Sequence, residues 1–264
     1  MFTEPAGRGP LIGAAVGLGI AIVAGGYYWH SRHAAPAVSP APPAASAAAP
    51  APAIEHPLPA ADASNGPLPD LGDSDKPFGD ALKESSGGSL ASFLVPENLI
   101  RNIVVTIDNL PRQKVAVSRR PIVPAPGTLV AKGDELHATL GAQNYQRYAP
   151  LIDALRQLDM KRVAAVYLRF YPLFQAAYQD LGYPTDYFND RLVKVIDGLT
   201  VTPQISGPID LVRPNVMYVF ADPALESRPA GQKMLIRMGP DNAAVVKAKL
   251  AELRAMVAPA SPKP

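Results

Sequence analysis

Residues 163–181, VAAVYLRFYPLFQAAYQDL, carry the pattern that decides the fold. Their apolar side chains recur every three or four residues, which is typical of a helix that buries one face. Pro172 lies inside the pattern and predicts a kink, and Gly182 with Pro184 predicts the end of the helix. The predicted buried face consists of Val163, Val166, Phe170, Phe174, Ala177 and Leu181. The centre of the chain is therefore predicted to be helical.

Apolar stripes with the same spacing flank this segment. One precedes it (Tyr148, Leu151, Ile152, Leu155, Leu158), and one follows it (Phe188, Leu192, Val195, Ile196, Leu199). Thr185 or Asp186 can cap the later helix. Residues 96–110 also have helical spacing, although their β-branched IVVTI core would suit a strand. Near the C-terminus, a short helix over residues 230–238 ends at Gly239, and Pro240 opens a last helix.

Extended structure is expected only in short pieces. Residues 128–131 and 135–139 can pair around Lys132-Gly133-Asp134, and residues 215–220 fit a strand or a buried connection. The sequence therefore predicts a mainly α fold: a single helical domain over residues 75–258 with a small extended or β-hairpin region. A disordered tail is predicted over residues 259–264.

An apolar segment near the N-terminus predicts a membrane anchor. Residues 11–29, LIGAAVGLGIAIVAGGYYW, carry no charge and follow a short tail of residues 1–10. Eighteen helical residues span roughly 27 Å, close to a ~30 Å hydrocarbon core, and the aromatic end suits the headgroup level. A cleaved signal peptide is the alternative. We favour an uncleaved single-pass transmembrane helix in the inner membrane, with the C-terminal domain in the periplasm.

Small residues within the predicted anchor could bring two helices together. Gly13 and Gly17 form a GxxxG pattern, which lets helix backbones approach closely in a bilayer. A homodimer through these two glycines is therefore a hypothesis, although glycine and alanine are common throughout the segment.

A linker is predicted between the anchor and the domain. Residues 30–74 include the tract PAVSPAPPAASAAAPAPA, in which repeated proline prevents a continuous helix and favours extended chain. Few large apolar groups are present to offset the entropy of ordering. The sequence therefore predicts a disordered Ala/Pro-rich tether that holds the domain away from the membrane.

The composition argues against several classes of function. The formal net charge is only +2 and charged residues are 18% of the chain, which is not the balance of a nucleic-acid-binding protein. Cysteine is absent, so thiol catalysis, iron–sulfur clusters and cysteine zinc sites do not apply. No metal-ligand spacing or cofactor motif is visible, and we expect no metal and no cofactor.

The sequence also carries little sign of a catalytic site. His137 is the only histidine in the predicted domain, and no nucleophile-elbow motif accompanies it. Glu97 and Asp108 lie on the predicted polar side of one helix, roughly 16 Å apart along its axis, too far to act on one bond. We expect solvated ion pairs there, such as Glu97 with Arg101, and no catalytic residues. An envelope enzyme with an unrecognised site is kept as the alternative.

Two groups of residues are candidates for partner binding. Arg112, Lys114, Arg119 and Arg120 form a basic cluster between two prolines, which could meet an acidic protein, a glycan or a lipid headgroup. A solvated loop is the simpler interpretation. Arg169 and Tyr171 lie within a run of tyrosines that could form a peptide or glycan surface or could line the helical core. The tyrosines are Tyr145, Tyr148, Tyr167, Tyr171, Tyr178, Tyr183 and Tyr187.

One segment has the outline of a helix-hairpin-helix DNA module. LIRMGPDNAAVVKAKL, residues 235–250, places a Gly-Pro turn between two helices. However, Arg237 stands where the first glycine of the hairpin would be, and the surrounding charge is mixed. An ordinary join between helices is the preferred interpretation, and a membrane-tethered DNA-binding module is the least favoured hypothesis.

Four stretches of the domain resemble a proteobacterial family of unknown function. They are VPENLIRNIVVTIDNLPR, GDELHATLGAQNYQRYAPLIDAL, VMYVFADPALES and QKMLIRMGPDNAAVVKAKLAELR. The resemblance covers most of the chain after about Pro77, and it implies a membrane segment, a Pro/Ala-rich region and this domain in that order. It implies no catalytic residue or ligand. We therefore expect a binding or scaffold module of the bacterial envelope, with an envelope protein or a glycan as its partner.

Overall fold

The structure is a computed structural model that describes residues 53–59, 66–134 and 138–258. The predicted anchor at residues 11–29, with Gly13 and Gly17, lies outside these ranges, as do residues 1–10, residues 259–264 and His137. In the ranges that are described, no helix has both the length and the apolar character that crossing a membrane requires.

Helices make up most of the described chain, as the sequence predicts. They are α1 (Asp75–Ser85), α2 (Leu99–Asn109), α3 (Ala142–Gln146), α4 (Ala149–Arg156), α5 (Met160–Asp180), α6 (Phe188–Thr200), α7 (Pro223–Glu226), α8 (Ala230–Met238) and α9 (Pro240–Val257). Two short 3-10 turns, Leu71–Asp73 and Val117–Arg119, lie in the connections.

The main core forms where α1, α2, α6 and α9 pack against α5. Aromatic rings fill its centre: Phe78 of α1 meets Phe170 and Phe174 edge-on, with ring centroids 5.2 and 5.4 Å apart. Phe174 and Phe188 stack with centroids 5.6 Å apart. These rings each remove a large apolar area from water, so α5 is the element on which the domain is assembled. The helix continues through Pro172.

Helix α1 is an addition to the predicted set. It contains Pro77 and Gly79, and it buries only Phe78 and Leu82, so its apolar pattern is sparse. Its first residue also determines where α2 begins. The Asp75 carboxylate accepts the backbone N–H groups of Asn98 and Leu99, both at 2.7 Å, and thereby caps α2 at Leu99 rather than at the predicted Pro96.

The start of α6 is also capped by a distant side chain. The sequence suggested Thr185 or Asp186 as the cap, but the helix begins at Phe188 after Tyr187, which makes no side-chain capping bond. Instead, Gln175 of α5 accepts the Phe188 N–H at 2.9 Å and donates to the Asp186 carbonyl at 2.8 Å. This contact fixes the first turn of α6 against α5, which is important for the site described below.

Four short strands form one antiparallel sheet in the order β1-β2-β3-β4. They are β1 (Ala131–Lys132), β2 (Ala138–Leu140), β3 (Asp210–Val212) and β4 (Val219–Phe220). The β1–β2 pair, in register Ala131↔Leu140, agrees with the predicted hairpin. The sheet is larger than predicted because β3 joins β2 from about seventy residues away, with Ala138 opposite Leu211.

Two segments of the predicted linker make defined contacts with the helices. Leu58 packs against the main core, and so do Leu68 and Leu71. The linker prediction covered residues 30–74, yet residues 53–59 and 66–74 are placed by these contacts. These contacts have little signature in the sequence, because each segment contributes only one or two apolar side chains.

The join between α8 and α9 depends on a glycine. Gly239 has φ +92°, and a Cβ atom at this position would lie 2.5 Å from Cγ of Tyr145. Asn242 then donates from its amide to the Tyr145 carbonyl at 3.0 Å and to the Met238 carbonyl at 2.8 Å. The Tyr145 ring thus covers the turn, which fits an ordinary join between helices better than an open DNA-binding hairpin.

Candidate functional site

Two adjacent cavities on the surface of α6 share Arg191 and Lys194. The aromatic cavity has a volume of about 320 Å³ and is lined by Tyr178, Tyr183, Tyr187, Asp186, Asp190, Ala53 and Glu55 in addition to the shared pair. The apolar cavity has a volume of about 210 Å³ and is lined by Leu110, Pro111, Val195, Gly198, Leu199, Pro229 and Gln232. We call the two cavities and the shared pair the α6 groove.

The wall of the groove is held by a buried carboxylate. Asp108 of α2 has a side chain only 3% exposed, and it forms ion pairs with Arg112 at 2.6 Å and Arg191 at 2.9 Å. Arg191 also donates to the Asp108 carbonyl at 2.7 Å. The arginine is therefore bound at two acceptors on one residue, which fixes its direction along the groove.

Tyr183 joins this ion cluster to the aromatic cavity. Its hydroxyl donates to Asp108 at 3.2 Å and accepts from Arg112 at 3.0 Å. The nearby Asp108 carboxylate raises the pKa of Arg112, so the guanidinium remains charged. We call Asp108, Arg112, Tyr183 and Arg191 the Asp108 cluster. It gives the groove a polar floor in which both arginines pair with one buried carboxylate, while the Arg191 Nε–H is buried without an acceptor among the described residues.

The two tyrosines of the cavity floor are stacked. The rings of Tyr178 and Tyr183 have centroids 4.5 Å apart and planes inclined by 15°. Tyr178 is buried, and this burial raises its pKa to about 12, so its hydroxyl is neutral at physiological pH. Lys194, one turn beyond Asp190, is exposed at the rim. The cavity thus combines aromatic walls with an accessible cation.

The predicted basic cluster is divided in the structure. Arg112 belongs to the Asp108 cluster, whereas Lys114, Arg119 and Arg120 are exposed on the connection after α2. The backbone of this connection is attached to α2 by the Thr106 hydroxyl, which donates to the Arg119 carbonyl at 3.2 Å. Three of the four cations therefore remain candidates for binding, outside the α6 groove.

Reversing two of these cations should leave the fold intact. Arg119 and Arg120 are exposed, and in the part of the chain that the structure describes neither pairs with a carboxylate. The double variant Arg119→Glu/Arg120→Glu should therefore keep its thermal midpoint within about 2 °C of the wild type, because exposed charges contribute little to folding. Differential scanning fluorimetry measures this. A fall of 5 °C or more would show that the connection is part of the packed structure.

Arg169 and Tyr171, the other predicted binding residues, lie on α5 and line neither cavity. Arg169 lies over the Phe170 ring at 5.2 Å, and the Tyr171 hydroxyl donates to Gln175 at 3.0 Å. Tyr167 is buried beside them. Tyr167 and Tyr171 therefore belong to the packing of the helical core. Tyr178, Tyr183 and Tyr187 line the groove, as the residues of a binding surface would.

The residues that organise the groove are not the ones that the sequence predicts for binding. Asp108 was expected on a solvated polar face, but it is buried, because Arg191 and Tyr183 from later elements close over it. Arg101 pairs with Asp180 at 2.7 Å instead of Glu97. The only local signal for the groove was the charged series Asp190, Arg191 and Lys194 beside buried positions of α6.

Among the residues that the structure describes, no group of three or more His, Cys, Asp or Glu side chains has an arrangement that could hold a metal ion. Three acidic residues line the groove, Glu55, Asp186 and Asp190, and the Asp190 carboxylate accepts backbone N–H groups. The arrangement can present hydrogen-bond acceptors, two cations and apolar surface to a bound molecule.

Comparison with known proteins gives one match. Residues 99–254 match the family described as Protein of unknown function (DUF3014), which is more than half of the 264-residue chain. The match runs from the first residue of α2 into α9 and includes the Asp108 cluster and Lys194. No curated protein and no solved structure is significantly similar to this chain.

Proposed function

We propose that this chain, which belongs to the DUF3014 family of proteins of unknown function, is a membrane-tethered binding module whose α6 groove holds a protein partner. The observation that carries the proposal is the pair of cavities that share Arg191 and Lys194. A rigid groove with apolar and charged parts is the usual form of a recognition site.

The lining residues indicate the chemistry of the partner. The apolar cavity accepts a hydrophobic side chain, with Leu110, Val195 and Leu199 in its wall. Lys194 at the shared rim favours an acidic group beside that side chain. Of the two partners suggested by the sequence, a protein fits better than a glycan, because the apolar cavity suits a hydrophobic side chain and Tyr178 is buried against Tyr183.

The setting of the module is proposed from the sequence. A single-pass anchor at residues 11–29 in the inner membrane, followed by the Ala/Pro-rich linker, would hold the domain in the periplasm as part of an envelope scaffold. Pairing through Gly13 and Gly17 would bring two domains together on one partner complex.

The topology can be measured with reporter fusions. A reporter joined after Pro59 should be active only when it requires export, because the apolar segment precedes the fusion point. Mass spectrometry of the mature protein should find the N-terminal segment intact. A mature chain that begins after His33 would contradict the anchor, since it would identify residues 11–29 as a cleaved signal.

Site-specific crosslinking tests the groove. The chain has no cysteine, so Lys194→Cys creates a single thiol that can carry a photo-crosslinker. In membranes that contain the full chain, this variant should form a discrete adduct with one partner. The matched control is Lys161→Cys, an exposed position on the first turn of α5 that lines neither cavity. Equal adducts from both positions, or none from Lys194→Cys, would contradict the proposal.

A further inference from the structure

Residues 53–59, which we call the strap, are bound to the first turn of α6 through their backbone. The Asp190 carboxylate accepts the N–H groups of Glu55 at 3.1 Å and His56 at 2.7 Å. The Asn189 amide donates to the His56 carbonyl at 2.8 Å. The strap bends at Glu55 and His56, so two successive N–H groups point to the same carboxylate. Three backbone groups are thus bound by two adjacent side chains, which recognise the main chain rather than the side chains of the segment.

The side chain that binds the strap is held in place by the rest of the domain. Asn189 is only 1% exposed, and its carbonyl oxygen accepts from the Tyr167 hydroxyl at 3.1 Å. Its amide donates to the Val257 carbonyl at 2.9 Å. These two contacts orient the amide, and the His56 carbonyl takes its second N–H. Without a peptide that N–H loses its acceptor while the amide keeps its direction, so the site is prepared for a carbonyl group.

The strap also shows which peptides fit. Pro57 and Pro59 flank Leu58, and proline restricts this stretch to extended conformations whose backbone groups have no partners of their own. Leu58 packs against the main core, whereas Ile54 is 47% exposed and Glu55 is exposed. The ligand class is therefore a segment that bends at two adjacent residues with free N–H groups and continues as Pro-Leu-Pro.

We propose that Asn189 and Asp190 form a peptide-binding site, that the strap is its intramolecular ligand, and that a partner segment with the same bend before Pro-Leu-Pro competes for it. Ala53 and Glu55 form part of the aromatic cavity, so release of the strap widens the α6 groove. This second, regulatory role rests on the proposed function of the groove. The peptide site itself does not, because its residues bind the strap whether or not the groove binds a partner.

The strap is covalently attached to the domain, so an added peptide has to compete with it. Only residues 60–65 separate the strap from Gly66, and a short tether gives an effective concentration on the order of millimolar. A free peptide therefore competes poorly with the strap of the wild type. The variant Glu55→Pro/His56→Pro removes both N–H donors and leaves Asn189 and Asp190 unchanged, because proline has no backbone N–H. The matched control, Glu55→Ala/His56→Ala, keeps both donors.

Fluorescence anisotropy of a labelled peptide is the test. The probe has the sequence of residues 51–60, APAIEHPLPA, and it is added to the full chain in detergent. The Glu55→Pro/His56→Pro variant should bind it at least ~10-fold more tightly than the wild type or the alanine control, because the competing strap is absent. Adding Asp190→Ala to that variant should weaken binding by ~10-fold or more. A probe with proline at positions 55 and 56 should not bind.

The proposal is overturned if the proline variant melts like the wild type and does not bind the probe. If that variant does not fold, hydrogen exchange on the wild type decides the question. The Glu55 and His56 amides should be protected by Asp190, and an excess of peptide, about 10 mM, should accelerate their exchange. Unchanged exchange would overturn the proposal. Crosslinking at Lys194 tests the groove independently, so failure of one proposal is distinguishable from failure of the other.

Discussion

Asp108→Ala should lower the free energy of unfolding by about 3–5 kcal/mol, because it removes one partner of a buried ionic cluster. The Arg191 side chain, 21% exposed, would lose the carboxylate that compensates its charge. The Tyr183 hydroxyl and Arg112 would lose an acceptor at the same time. Urea unfolding followed by circular dichroism measures the change, and a loss below 1 kcal/mol would show that water replaces the carboxylate easily.

An exposed ion pair of the same geometry provides the control. Lys76 and Asp80 are one turn apart on α1, and their side chains are 86% and 62% exposed. Asp80→Ala should leave the stability nearly unchanged, because exposed pairs gain little over hydration. Asp108→Asn should lie between the two variants, since the amide keeps one acceptor and the shape of the side chain. Comparison of the three variants separates the effect of burial on stability from the effect of charge pairing.

Gly239→Ala should be the most damaging glycine substitution among those that the structure describes, with an expected loss of about 2–6 kcal/mol. Two costs add: φ +92° with ψ 158° is unfavourable for a residue with a side chain, and the new Cβ would displace the Tyr145 ring. The ring cannot move freely, because Tyr145 packs against the small core under the sheet. The helix join between α8 and α9 would loosen as a result.

Gly79→Ala tests the same backbone argument at a glycine where an added side chain should stabilise the domain. Gly79 lies inside α1, and a Cβ there meets nothing within 4 Å. The substitution should stabilise the domain by about 0.5–1 kcal/mol, because alanine loses less backbone entropy in a helix. Thermal unfolding of both variants gives the comparison. If Gly239→Ala were as stable as Gly79→Ala, the assigned conformation of the turn would be wrong.

The long helices could be predicted because their sequence carries its own burial pattern. Helix α5 places Phe170 and Phe174 at helical spacing, and helices α6, α8 and α9 follow at the predicted places. The elements that were missed are short. Helix α1 buries two side chains, and β3 has three residues whose pairing partner lies about seventy residues earlier. Such elements are stabilised by tertiary contacts, which single-sequence periodicity does not contain.

The site was harder to predict, for the same physical reason. The tyrosine run was recognised, but periodicity does not distinguish Tyr167, which is buried in the core, from Tyr183, which reaches the Asp108 cluster. The position of Asp108 in the helical pattern is that of a surface residue. It is buried because α6 brings Arg191 against it. The strap is the clearest case. Asn189 and Asp190 bind its backbone, whereas its sequence is like that of the rest of the predicted linker.

The most direct test of the binding role is a hydrogen-exchange footprint of the partner on the full chain. With the partner recovered by crosslinking at Lys194→Cys and added back, protection should appear at Leu110 and over residues 190–199 of α6, whose exposed face lines the α6 groove. The exposed hairpin tip with Val216 and Met217 should exchange at its original rate. Protection confined to that tip, or to the basic connection at residues 113–120, would contradict the assignment of the α6 groove as the binding site.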